Sequence, residues 1–441
     1  MSHGFTGKVL IVAEHASFRF GGEAALPLHY FSRLRRLGIP TWLVVHERTR
    51  DELTALFSDD PRIVYIGDSW IHKLLWRTGS LLPRRIADFS TGYLMRVWSQ
   101  LQQRRIVRDL VRREGVSVVH QPMPVAPKEP SLMYGLGAPV VIGPLNGGMD
   151  YPPAFRSNES LTVRAFVSAG RAASRVLNRL MPGKLRADVV LVANERTRNA
   201  LPAGITGEVK LLCENGIDVE LWSAPRPASP PRGADTPLSL LYMGRLVDWK
   251  GVDHLLQALA QVRSARPVHL TIAGDGPERR TLEGLAAKLG LLSDAQPSVT
   301  FAGWKTQAEC ADLLAQSDAL VLPSLLECGG AVVLEAMAAG KPVIATDWGG
   351  PADYLDPSCA LLVAPTSRRD FASHLAAAID RLAATPTLCA ELGAAGREKA
   401  LRAFDWDRKI SDILAIYGDV QARRETSTSA TTLHARLQPT S

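Results

Sequence analysis

PSLLECGGAVVLEAMAAGKPVIATDWGGP, residues 323–351, contains one full repeat of the fold. The apolar run ALVLPS (319–324) leads into it and ends at Pro323–Ser324, reading as a strand buried on both faces. A loop carrying Glu327 and Gly329–Gly330 follows, then a helix to Ala339 stopped by Gly340 as the glycine just past its end. PVIATD (342–347) starts the next strand. Strand, loop, helix and strand again, with both strands apolar throughout, is the repeat of a parallel sheet covered by helices.

The same alternation extends in both directions. Upstream, LSLLYMG (238–244), VHLTIAGDG (268–276) and SVTFAGW (298–304) are further buried strands, and ALLVAP (360–365) continues the series. The first half repeats the pattern with KVLIVAEH (8–15), PTWLVVHE (40–47), RIVYIGD (62–68), VSVVHQP (116–122), PVVIGPL (139–145) and DVVLVAN (188–194). Amphipathic stretches such as Ala24–Leu37 and Leu94–Arg113 lie between them. Residues 214–237 are rich in proline and small polar residues and read as a linker. The expected organisation is therefore an α/β chain of two Rossmann-like domains, 1–213 and 238–404, joined by 214–237. A helix over 405–420 and a polar, disordered tail over 421–441 complete it.

With 441 residues, the chain exceeds what one ordinary core supports. No apolar run approaches the ~18–20 residues that span a bilayer. The five cysteines are scattered, without a CxxC pair, a reduced and cytoplasmic pattern rather than a disulfide framework or zinc site. Neither half offers GxGxxG after its first strand with an acid about 20 residues on, which disfavours a dinucleotide enzyme.

Ligands of open α/β sheets bind beyond the carboxyl ends of the strands, so the loops there carry the candidate chemistry. Gly329–Gly330 and the amides of Ala331 and Val332 form a helix start suited to an anion. Glu327 in the loop and Glu335 on the helix add two carboxylates. One acid for hexose hydroxyls, one for a ribose and amides for a diphosphate would suit a sugar nucleotide. Either glutamate alone is equally compatible with an ordinary helix beside a glycine-rich turn. In YMGRLVDWKG (242–251), Arg245 and Lys250 stand where they can reach a phosphate, although loop cations are commonly just solvated. Gly21–Gly22 sits between the first strand and first helix as a phosphate-approach loop in form. His120 ends the fourth strand and is expected to point at a cleft, but a lone histidine there also fits a structural role.

Taken together these segments resemble the family 4 glycosyltransferases of the GT-B fold. The E-x7-E pair Glu327 and Glu335 carries the strongest likeness. GRLVDWKG (244–251), IAGDGPERRTLE (272–283), NGID (215–218), ADVVLVANERTR (187–198) and the glycine loop at Gly21–Gly22 support it. The resemblance spans roughly residues 8–418. It implies two Rossmann-like domains facing across a cleft, with the last helix crossing back to the first. It further implies a retaining transfer from a nucleotide-diphosphate sugar. Glu327 would bind the donor hexose and Glu335 the ribose. Arg245 and Lys250 would neutralise the diphosphate, His120 would contact the sugar near the reacting centre, and backbone around Phe301–Trp304 would meet the base. Gly21, Gly22, Gly274, Gly329, Gly330, Ala331 and Val332 complete the donor-binding set. No metal or other cofactor is implied, since no DxD segment lies beside the site. The family usually reads E-x-F-G, whereas Gly329 occupies the aromatic position here, which puts the identity of the donor in question. Two alternatives stay open: a GT-B nucleotide-sugar epimerase, and a catalytically degenerate GT-B protein serving as a partner in polysaccharide assembly.

The first half is also densely basic. Lys73, Arg77, Arg84, Arg85, Arg96, Arg104, Arg105, Arg108, Arg112 and Arg113 are interleaved with Trp70, Trp76, Leu74, Leu75, Leu81 and Leu82. A second stretch runs from Arg156 through Arg164, Arg171, Arg175, Arg179 and Lys184 to Arg186, with Glu159 its only acid. Cations among large apolar residues suit an anionic leaflet as well as a solvated helix face. The expected partners are thus a nucleotide-sugar donor, a saccharide or lipid-linked acceptor and an anionic membrane surface. Nucleic acid is not expected, because no recognition motif accompanies the charge.

Overall fold

The structure is a computed structural model, which describes residues 5–81, 90–158, 174–223, 236–293 and 296–436. The chain forms two compact units. The first comprises Met1–Gly148, Val163–Glu214 and Asp407–Ser441, and the second Met149–Thr162 and Asn215–Trp406.

The first unit is built on β1 (Val9–Val12), α1 (Gly22–Arg36), β2 (Thr41–His46), α2 (Arg50–Phe57), β3 (Ile63–Ile66), α3 (Trp70–Gly79), α4 (Thr91–Glu114), β4 (Val118–Gln121), β5 (Val140–Leu145), β6 (Val189–Val192), α5 (Glu195–Asn199) and β7 (Glu208–Leu211). Its seven strands lie in the order β3-β2-β1-β4-β5-β6-β7, every pair parallel. In β1, Val9 pairs with Thr41 on one side and Val118 on the other. All four β1 side chains are buried, as an unbroken VLIV run sandwiched between helices requires. Helix α1 buries Ala24, Leu28, Phe31 and Leu34, one stripe at helical spacing, and ends in Arg33, Arg35 and Arg36, whose charge suits its dipole.

The second unit runs α6 (Val219–Trp222), β8 (Leu238–Met243), α7 (Val252–Leu259), β9 (Val268–Ala273), α8 (Arg279–Lys288), β10 (Ser298–Gly303), α9 (Gln307–Gln316), β11 (Ala319–Leu322), α10 (Ala331–Ala338), β12 (Val343–Thr346), α11 (Gly350–Tyr354), β13 (Ala360–Val363), α12 (Arg368–Ala384) and α13 (Pro386–Ala403). Its sheet is parallel in the order β10-β9-β8-β11-β12-β13. The direction of winding reverses between β8 and β11 here, and between β1 and β4 in the first unit. At such a point the loops leaving the two strands diverge and leave a crevice.

Two readings from the sequence need correction. The segment expected to be a linker is ordered at its start: Ile217 exchanges backbone hydrogen bonds with Phe404 (2.8 Å) and Trp406 (3.2 Å), and Trp222 is buried. Proline and small polar residues begin only after that, and 224–235 lie outside the described residues. The last helix, α14 (Trp406–Arg436), continues through most of the segment expected to be disordered. From Asp407 onward it belongs to the first unit, where Ile410, Ile413, Leu414 and Tyr417 are buried.

The Tyr417 hydroxyl donates to Nδ1 of His120 at 2.7 Å inside the first unit, with both side chains fully buried. Removing the hydroxyl leaves a buried ring nitrogen without its donor. Tyr417→Phe is expected to cost about 1–3 kcal/mol in denaturant unfolding. An unchanged midpoint would show that this hydrogen bond does not hold the helix.

Candidate functional site

The reversal point of the second unit brings together two of the loops singled out in the sequence. After β8 the chain passes Arg245 and reaches Lys250 just before α7; after β11 it passes Ser324 and reaches Glu327 before α10. The loops are stitched together by a hydrogen bond from the Leu325 amide to the Trp249 carbonyl at 2.9 Å. That link brings the Lys250 ammonium onto the Glu327 carboxylate as a direct ion pair. Both side chains are largely shielded, 18% and 14% exposed. The two residues assigned separately to diphosphate and hexose therefore neutralise each other.

Helix α10 starts at Ala331, with Gly330 as its N-cap in the left-handed region at φ 75°. A side chain there would be strained, and its Cβ would sit 3.1 Å from Cγ of Glu327. The Glu327 carbonyl accepts from the Gly350 amide at 2.7 Å. A Cβ on Gly350 would lie 2.4 Å from the carbonyl oxygens of Cys328 and Gly329, so this glycine pair acts as the bed of the loop. The sequence alone assigns Gly349–Gly350 no role. A second glycine pair after the following strand was the available signal. Ala331 and Val332 are half-exposed at the helix start, with first-turn amides that have no intrahelical acceptor.

Glu335 lies on α10, half-buried, and its carboxyl makes no hydrogen bond or ion pair among the described residues. Burial pushes that carboxyl up to about 8. Arg245 is exposed and likewise makes no ion pair among them. Phe301 is half-buried at the end of β10, and Trp304 is 66% exposed just beyond it. Gly274 has a packing role: a Cβ would fall 1.9 Å from the Gly244 carbonyl oxygen, and its amide donates to Gly303 at 2.8 Å. Thus glycine at 274 is demanded by the crossing of the β8 and β9 loops, whatever it binds.

In the first unit the expectation for His120 is not met. Its ring is fully buried; Nε2 donates to the Gly143 carbonyl at 2.6 Å and Nδ1 accepts from Tyr417. Burial pushes the imidazole down to about 4, helped by the Lys409 charge, so it is a neutral structural group. Gly21 and Gly22 are exposed, with open space where a Cβ would point, so nothing in the fold itself calls for a close approach there. The carboxyl ends of β2 and β3 instead gather His46, Asp68 and His72, whose ligand atoms lie within 4.8 Å of one another. Their donors and acceptors are largely committed: His46 Nδ1 accepts from the Arg48 amide (3.3 Å), His72 Nδ1 from the Ser69 amide (3.0 Å), and Arg48 pairs with Asp68 at 2.8 Å. A guanidinium on the carboxylate makes this a hydrogen-bonded array and a poor cation site. Each of these residues directly follows or closely trails a strand run, a signal the sequence carried.

Several cations of the basic region are internal. Arg96 pairs with Glu129 at 2.9 Å, Arg104 donates to the Leu132 and Tyr134 carbonyls, and buried Lys184 donates to the Ala126 carbonyl. Arg84, Arg85, Leu82, Glu159, Arg164 and Arg171 lie outside the described residues.

Residues 229–399 match the profile of glycosyl transferases group 1, a stretch that falls within the second unit. The chain is similar to glycogen synthase of Mycobacterium tuberculosis, 35% identical over 205 residues, covering 46% of this chain and 47% of that protein. It is also similar to the lipopolysaccharide core biosynthesis glycosyltransferase LpsD of Rhizobium meliloti, 37% identical over 206 residues, covering 44% of this chain and 55% of that one. The chain thus spans about half the length of the curated relatives it matches. Among solved structures, Anabaena Alr3699/HepE in complex with UDP and glucose superposes with a TM-score of 0.62 at 17% identity, over 92% of this chain and 98% of that one. That likeness shows the shared two-domain GT-B fold.

His120 and His46 are both held near 4, burial being the largest cause in each, against 6.5 for an unperturbed ring. Between these values the unfolded chain binds protons that the folded chain refuses. Their contribution to stability is complete above about pH 6.5 and is lost as pH falls towards 4, up to about 3 kcal/mol per ring. His120→Gln should flatten the fall of melting temperature with acid. A slope equal to the parent's would show that the ring is not kept neutral.

Proposed function

We propose that the protein is a retaining glycosyltransferase that moves a hexose from a nucleotide-diphosphate sugar to a hydroxyl of a saccharide or lipid-linked acceptor. The observation that carries this reading is the Lys250–Glu327 ion pair beside the open start of α10, with the carboxyl of Glu335 on the same helix, which has no hydrogen-bond or ion-pair partner among the described residues. Both glutamates and both cations fall within the matched 229–399 segment.

The donor diphosphate takes up the Lys250 ammonium, the Arg245 guanidinium and the first amides of α10. Lys250 then leaves Glu327 free to accept from hexose hydroxyls, and Glu335 accepts from the ribose diol. The acceptor hydroxyl oxygen bonds to the anomeric carbon on the face from which the diphosphate leaves. The sugar–oxygen bond to the diphosphate breaks through an oxocarbenium-like transition state, and the acceptor's proton passes to a departing phosphate oxygen. Lys250 and Arg245 stabilise the charge growing on that phosphate, worth about 3–4 kcal/mol per contact where such charge is met by fixed donors. Two cations aimed at the diphosphate make a metal unnecessary to this mechanism. LpsD, named for lipopolysaccharide core biosynthesis, supports a setting in bacterial cell-surface polysaccharide or glycolipid synthesis. The second reading, a silent partner in polysaccharide assembly, draws on Gly329, which leaves the loop without an aromatic side chain over the donor.

Turnover is measured with UDP-, GDP- and ADP-sugars, following the anomeric configuration of the product by NMR. The product keeps the donor's configuration, and Lys250→Ala or Arg245→Ala lowers turnover by at least about a hundredfold in a folded protein. Near-normal turnover in both variants, or an inverted product, contradicts the assignment.

A further inference from the structure

Helix α3 of the first unit has an outward face with no protein partner in this chain among the described residues. Its inward arc is formed by His72 and Gly79, both buried, with Ile71 and Leu75 half-buried beside them. That arc is fixed to α4 by His72 Nε2 donating to Ser99 Oγ at 3.0 Å and by Trp98 Nε1 donating to Ser69 Oγ at 2.9 Å. The outward arc carries Trp70, 72% exposed, Leu74, 52%, and Trp76, 66%. Leu81, just past the helix, is 85% exposed. Lys73 and Arg77 stand among them, both exposed, and residues 70–79 contain no acid.

Two tryptophans on one ten-residue helix, left in water, are unusual, since such rings dominate the energetics of burial. We propose that α3 is a docking element for an anionic lipid surface. The helix lies in the plane of the interface, with Trp70, Leu74 and Trp76 among the headgroups and Lys73 and Arg77 on lipid phosphates. This deepens the proposed function and rests on it only for the lipid-linked acceptor, which docking would bring within reach. Three features favour lipid over a protein partner. Aromatic rings with a polar edge and an apolar body suit the membrane interface. The charge on this helix is of one sign, complementary to an anionic leaflet. With the Thr78 hydroxyl donating back to the Leu74 carbonyl at 3.1 Å, the outward side chains offer the Lys73, Arg77 and indole N–H donors and no carboxylate, a set that suits lipid phosphates. The cations that serve here are Lys73 and Arg77, because Arg96 and Arg104 of α4 are committed inside the unit.

The test is co-sedimentation of the full chain with vesicles of phosphatidylcholine alone and of phosphatidylcholine with phosphatidylglycerol. Binding to the anionic vesicles only is expected, weakening as salt is raised. Lys73→Gln/Arg77→Gln should lower that binding about 25-fold, roughly fivefold per cation, and Trp70→Ser/Trp76→Ser should lower it as well. All four positions are exposed, so both variants should keep the parent's melting temperature and its nucleotide binding. Equal binding by parent and variants, no binding to anionic vesicles, or equal binding to both vesicle types overturns the proposal. Those outcomes leave the transfer reading intact, whereas vesicle binding without nucleotide binding would sink the transfer reading alone.

Discussion

Parallel pairing of β8 with β11 is the constraint on which the candidate site depends. The sheet winds outward from these two neighbours in opposite directions, so the loops at their carboxyl ends separate. The chain then joins the two loops through the Leu325 and Leu326 amides, which both donate to the Trp249 carbonyl at 2.9 and 3.4 Å, and through the ion pair of Lys250 with Glu327. A shielded ion pair costs desolvation on both sides and is weak evidence for stability in itself. In the proposed function the pair would act by exchange: a donor diphosphate would offer the lysine a stronger partner, and hexose hydroxyls would offer the glutamate new donors. The ion pair itself keeps both charges satisfied. Glu335 has no such partner among the described residues, and burial alone pushes its carboxyl up to about 8.

Most of the fold was legible because its strands are covered on both faces, which writes them as unbroken apolar runs. Strand β7 was missed for the opposite reason. EVKL lies at the sheet's edge, half-exposed, with a glutamate and a lysine among its four residues, the composition edges use to resist further pairing. The continuation of α14 past 420 was also missed, because a polar, alanine- and threonine-rich stretch shows no apolar stripe that demands burial. The segment at 215–223 was hidden by its neighbours: proline-rich sequence follows it directly, while its own anchors are the buried side chains of Ile217 and Trp222 and the backbone bonds of Ile217.

The candidate site was legible in kind more than in arrangement. Residue types and spacing pointed to the β8 and β11 loops, and the structure brings them together. What sequence could not show is which charges meet, since Lys250 and Glu327 are distant along the chain and pair only through the sheet. His120 was misread because a histidine after a buried strand looks the same whether it opens on a ligand or closes on a carbonyl and a tyrosine. Gly274 was given to the donor, while the nearness of the Gly244 carbonyl is sufficient reason for it. Conversely, the basic region looked uniform in sequence, yet Arg96, Arg104 and Lys184 are engaged within the first unit while Lys73 and Arg77 on α3, like Arg105 and Arg108 on α4, are exposed.

The account's central claim is that one nucleotide occupies the second unit through Glu335 and Lys250, and it is tested most directly by thermal shift with UDP, GDP and ADP. Ligand at ~100 times its dissociation constant should add about 2.7 kcal/mol to the stability of the state that binds it. The account predicts a clear shift with one of the three, strongly reduced in Glu335→Gln and in Lys250→Ala. No shift with any of them, or a shift that both variants retain in full, would contradict it.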